Sequence, residues 1–152
     1  MRPRNLVQGV AVEKKFSRSI LALSVSLILG AQSQANPIGP SVANGSVSIS
    51  GDDTGQLNVL NSPGAIINWD SFSIGRGELT RFVQQHAGSA VLNRVTGANP
   101  SEILGSLLSN GRVFLINRNG IVFGEHAVVD TAGLVASTLK ISDTDFLTER
   151  LH

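Results

Sequence analysis

The sequence has no cysteine and no tyrosine, a single tryptophan, a single methionine and six phenylalanines in 152 residues. Without cysteine there are no disulfide scaffold, thiolate metal site or cysteine nucleophile. Aromatics make up only 5% of the chain, which leaves the core to small and β-branched side chains and suits a narrow stack of strands. Charge is also sparse, at 15%, and no dense run of one sign occurs. The one long apolar run, Ile20 to Leu29, is too short to cross a bilayer core of roughly 30 Å as a helix.

That run does fit a signal peptide. Arg2, Arg4, Lys14, Lys15 and Arg18 precede it, and Ser33-Gln34-Ala35 supplies the small residues a signal peptidase accepts. The layout predicts an extended signal peptide over residues 1–35, cleavage between Ala35 and Asn36, and a mature domain over 36–152. Beyond position 35 there are seven basic and ten acidic residues. Nucleic-acid binding by phosphate neutralisation is therefore not expected.

What the sequence has is glycine, sixteen of them, set between short runs of Val, Ile, Leu and Phe. The stretch Val113-Phe-Leu-Ile-Asn-Arg-Asn-Gly-Ile-Val-Phe-Gly124 and its continuation to Thr138 reads as strand, turn, strand, turn, strand. Its runs are too short for helices and too apolar on both faces for an open antiparallel sheet. Upstream, Ser46 to Ser50 alternates with period two, and Gln56–Leu60, Ala65–Trp69, Ser71–Ile74 and Leu79–Gln84 continue the rhythm.

A triplet of two apolar residues and an asparagine recurs at Ile66-Ile67-Asn68, Val91-Leu92-Asn93 and Leu115-Ile116-Asn117. Repeats of roughly 20–50 residues signal a solenoid, and stacking these triplets predicts a ladder of Asn68, Asn93 and Asn117 at one corner. Asn99-Pro100 to Gly111 departs from the rhythm. Its capping box and the stripe Ile103, Leu104, Leu107, Leu108 predict a short helical excursion near 100–109. A second helical start lies at Ser142-Asp-Thr-Asp145.

Chemistry-bearing patterns are few. His86, His126 and His152 lack metal-ligand spacing, Asp52-Asp53 and Asp143/Asp145 sit in turn or helix-start contexts, and Gly75-Arg-Gly77 has no dinucleotide-binding frame. The expectation is a chain that is not an enzyme and has no cofactor, metal or catalytic residues; a solenoid lyase or hydrolase would need clustered acids or bases on one face.

The stretches Ala65-Ile-Ile-Asn-Trp-Asp-Ser-Phe-Ser-Ile-Gly75, Val91-Leu-Asn-Arg-Val-Thr-Gly97, Ile103-Leu-Gly105, Val113 to Gly124 and Gly133-Leu-Val-Ala-Ser-Thr138 resemble, in order and spacing, the N-terminal secretion domain of two-partner-secretion exoproteins. This is the filamentous haemagglutinin and high-molecular-weight adhesin family, also described as a haemagglutination activity domain. The resemblance implies an all-β, right-handed parallel β-helix. It also implies Sec export to the periplasm of a Gram-negative bacterium, and recognition by an outer-membrane transporter of the Omp85 type through its POTRA domains. Secretion or display at the cell surface would follow, with host-cell contact through a passenger.

The turn Asn117-Arg118-Asn119-Gly120 stands where the family usually reads Asn-Pro-Asn-Gly, so it lacks proline's fixed φ. It is the candidate for transporter recognition or for structural support. Fourteen residues follow Thr138, fewer than in the family's domain, as expected of a fragment, a truncated gene or an isolated module. The competing expectation is an adhesive surface module that binds host glycan or protein directly.

Overall fold

A computed structural model describes residues 36–51 and 54–148; the expected signal segment up to Ala35, together with Asp52, Asp53 and His152, lies outside the described residues. The chain winds into a parallel β-solenoid. Strands β1 (Ser41–Asn44), β2 (Val47–Ser50), β3 (Gln56–Asn61), β4 (Ala65–Trp69), β5 (Leu79–Val83), β6 (Ala90–Val95), β7 (Ser101–Ile103), β8 (Ser106–Ser109), β9 (Arg112–Ile116), β10 (Ile121–Phe123), β11 (Val128–Asp130) and β12 (Gly133–Ser137) precede one helix, α1 (Asp143–Leu147).

Four coils follow from the pairing. One face stacks β3, β5, β8 and β11 in parallel, a second stacks β4, β6, β9 and β12, and a third consists of β7 and β10, extended by a parallel bridge from Ile74 to Ile103. On the second face Ala65 pairs with Val91, Val91 with Val113 and Val113 with Leu134, so successive coils advance 26, 22 and 21 residues.

Alternation within each strand sends Leu57, Val59, Ile67, Trp69, Phe82, Val91, Leu107, Val113 and Leu115 into one core. Phe72 joins Trp69 edge-on at 5.8 Å and stacks on Phe82 at 6.3 Å. Corners need close backbone approach. A Cβ at Gly105 would run into the carbonyl oxygens of Gly75 and Glu78 in the preceding coil, so only glycine fits there.

The two ends differ. At the first coil, β1 pairs antiparallel with β4, β2 pairs antiparallel with β3, and Ile38 bridges Ser71. The segment from Asn36 to Ser50 thus closes all three faces, and Asn36 itself is buried, accepting from Thr80 Oγ1 at 3.2 Å. At the last coil, no described strand pairs with the outer edges of β10, β11 or β12. Phe123 and Val129 stack on Ile103 and Leu107, which are 0% exposed, yet they are 40% and 38% exposed themselves.

Helix α1 caps as the sequence indicates, Ser142 Oγ accepting from Asp145 N at 3.0 Å. It lies on the outer side of the second face. There Phe146 meets Phe114 edge-on at 5.2 Å and joins Ile66 and Leu92 in a second apolar cluster. Arg94 anchors its start, reaching Asp143 at 2.7 Å and the carbonyl of Ile141 at 2.9 Å.

Two expectations are corrected. The helical excursion near 100–109 is instead β7 and β8 with a corner between them. Backbone groups that a helix would have paired locally are taken by the preceding coil: Leu104 N donates to Ile74 O, and Ser106 N donates to Glu78 O. Inter-coil pairing on both sides outweighs a local preference worth a few tenths of a kcal/mol per residue. Gly105 further weakens any helix there, by about 1 kcal/mol relative to alanine.

The asparagine ladder also does not form. Asn68 lies over Arg94 and Asn93 over Leu115, because the triplets recur at 25 and 24 residues whereas the coils advance 26 and 22. A slip of one residue turns a side chain to the opposite face, so Asn68 points outward and Asn93 inward.

Candidate functional site

No group of three or more His, Asp or Glu side chains converges on a metal-sized site among the described residues. His86 is engaged by its own loop, its Nδ1 accepting from Gly88 N at 3.2 Å. Asp143 pairs with Arg94, and Asp145 lies in the first turn of α1. The features that remain are a built turn and an amide spine.

The turn follows β9. Asn117 is fully buried, and its Nδ2 donates to Asn99 O and Ser101 Oγ, both at 3.0 Å. Its Oδ1 accepts from Asn119 N at 2.9 Å, and Asn119 Nδ2 donates to Gly97 O at 2.9 Å. Gly120 closes the reversal at φ +117°, with its N–H donating to Asn117 O. The pair of amides therefore ties the third face of one coil to that of the preceding one. Arg118 takes no part in this bonding, and it and Asn119 are the exposed residues of the four.

Asn93 and Asn68 have separate roles. Asn93, 0% exposed, accepts from Trp69 Nε1 at 2.9 Å and donates to Phe114 O. Asn68 accepts from Arg94 at 3.1 Å, which helps hold that guanidinium under α1.

An inter-coil amide spine does exist, at a corner the triplets do not mark. Asn61 donates to Gln84 Oε1 at 3.3 Å, Gln84 Nε2 donates to Ser109 Oγ and Arg112 O, and Asn110 exchanges two 2.7 Å bonds with the Gln84 backbone. The signal was legible: β3, β5 and β8 of the first face are each followed or closed by an amide, at Asn61, Gln84 and Asn110.

With this geometry in place, comparison with known proteins decides the family. A family model described as "TPS secretion domain" matches residues 33–150. The chain belongs to the TPS secretion domain family. Its similarity to the crystal structure of the HMW1 secretion domain from Haemophilus influenzae has a TM-score of 0.72 and 41% identity, covering 75% of this chain and 30% of that one. A heme/hemopexin-binding protein of Haemophilus influenzae is 39% identical over 102 residues, 67% of this chain and 11% of the relative. A second protein of that name and organism is 42% identical over 74 residues, 49% of this chain and 8% of the relative. The chain thus spans about a tenth of the length of these curated relatives. In a TPS secretion domain the turn and the spine are parts of a β-solenoid, and a TPS domain implies a partner outer-membrane transporter.

Proposed function

We propose that this TPS domain targets a two-partner exoprotein for secretion: the periplasmic POTRA domains of an Omp85-type transporter recognise it, and its closed first coil then seeds β-helix folding outside the cell. The carrying observation is a closed first coil in a chain that the TPS secretion domain model matches over residues 33–150. Residues 36–50 cover the first coil on three faces. In a solenoid each formed coil templates its neighbour, so folding propagates from an ordered end.

Export through Sec and cleavage after Ala35 precede this step, and the Asn117–Gly120 turn is the candidate contact, with Arg118 exposed and Asn117 holding the loop. The heme and hemopexin binding named for the relatives belongs, on this reading, to polypeptide outside the shared region. The test is export of the full chain in cells with and without the cognate transporter. Transporter-dependent appearance in the medium is expected. Transporter-independent release, combined with glycan or host-protein binding by the purified chain, would favour a directly adhesive module.

A further inference from the structure

The sequence contains three Asn-Gly pairs, Asn44-Gly45, Asn110-Gly111 and Asn119-Gly120. In such a pair the glycine nitrogen can attack Cγ of the preceding asparagine, because no Cβ shields it. The attack forms an N–Cγ bond and breaks the Cγ–Nδ2 bond, and the nitrogen's proton leaves with the amine as ammonia. Water then opens the cyclic succinimide to aspartate or isoaspartate. The reaction needs a glycine N–H free to lose its proton, so a hydrogen bond from that N–H opposes it.

The fold holds two of the three pairs. Gly111 N donates to Ser109 Oγ at 3.0 Å, and both ends of the Asn110 amide are bonded to the Gln84 backbone at 2.7 Å. Gly120 N donates to Asn117 O at 3.1 Å, and Asn119 Nδ2 donates to Gly97 O at 2.9 Å. Gly45 N, by contrast, has no acceptor among the described residues. Asn44 is exposed, and its side chain is fastened at one point, where Nδ2 donates to Gly64 O at 3.0 Å. The turn also requires its glycine: φ is +83°, and a Cβ would stand 2.7 Å from Ser62 Oγ and 3.1 Å from Ala65 Cα.

We propose that Asn44-Gly45 is a site of spontaneous deamidation, selected by the fold over the other two pairs, and that its product loosens the cap of the first coil. Asn44 ends β1, and Gly45-Ser46 leads into β2, so the bond to Gly64 O fastens the turn between the two antiparallel capping strands. Deamidation removes that donor and sets a carboxylate beside the Gly64 carbonyl oxygen, where two acceptors then face each other. Isoaspartate also adds a methylene to the main chain between β1 and β2, and pairing register tolerates little added length.

The test incubates the purified full chain at mildly alkaline pH, with and without urea, and follows each Asn-Gly pair by peptide mass mapping. Isoaspartyl methyltransferase labelling scores the isoaspartate product. In the folded chain Asn44 is expected to react at least about tenfold faster than Asn110 or Asn119, a barrier difference of roughly 1.4 kcal/mol. In urea the three rates should converge, because the fold makes the difference. Asn44→Gln, whose longer side chain closes its ring far more slowly, should remove the fast reaction. Asn44→Asp should speed amide exchange in β1 while β6 and β9 keep their protection.

Equal rates in the folded chain overturn the proposal, as does faster reaction at Asn110 or Asn119. A preference for Asn44 that persists in urea overturns selection by the fold, since it then belongs to the local sequence. Unchanged β1 exchange in the Asn44→Asp chain overturns the loosening of the cap.

Discussion

Asn93 shows how a polar residue is accommodated inside a narrow solenoid. Its amide takes the indole N–H of Trp69 and gives its own N–H to Phe114 O, so two buried polar groups are satisfied at once. Asn93→Leu keeps the volume but strands the indole N–H, and urea denaturation should show a loss of roughly 1–3 kcal/mol. An unchanged midpoint would mean that the indole finds another acceptor. Asn117 and Arg118 separate architecture from contact. Asn117→Ala removes a buried amide with four bonds and should reduce export through loss of folded structure, visible by circular dichroism. Arg118→Ala should fold normally, so any export defect in it reports direct recognition. A native-like Asn117→Ala chain that stays in the periplasm would move Asn117 itself to the contact surface.

At the scale of elements, α1 is held by one aromatic contact and one ion pair. Phe146, 5% exposed, covers Ile66, Leu92 and Phe114, and Phe146→Ala should cost roughly 3–5 kcal/mol, again read by urea denaturation. A small effect would show that the helix is dispensable to the solenoid. Element types were legible where local pattern and tertiary pairing agree. The alternating burial of β2 and the buried run of β4 follow from Val47-Ser-Ile-Ser50 and Ala65-Ile-Ile-Asn-Trp69. The helix start at Ser142 was legible because capping is local.

Residues 100–109 misled because a helical stripe and a corner share a spacing. Ile103 and Leu107 both point inward, but from two different faces flanking Gly105, and only the neighbouring coils reveal this. Likewise β1 escaped notice, since Ser41–Asn44 has no buried position of its own and is specified by pairing with β4. The amide spine was present in the sequence at Asn61, Gln84 and Asn110. The coil length that aligns them changes from coil to coil, so a fixed repeat selected the wrong corner.

For the whole molecule, the strand pairing predicts a gradient of stability. Amide exchange on the full chain should be slowest in β4, β6 and β9, which are paired on both sides, and fastest in β10 and β11, paired on one. Uniform protection would contradict the stacking of β4, β6 and β9 between neighbouring coils. The ordered first coil underlies the functional account, in which folding propagates from that end. The most direct test is sufficiency: fuse the whole chain ahead of an unrelated β-solenoid reporter and follow the reporter in cells that express the cognate transporter and in cells that lack it. The account predicts reporter in the medium only when both the chain and the transporter are present. A reporter that remains periplasmic beside a functional transporter, or reaches the medium without one, would contradict it.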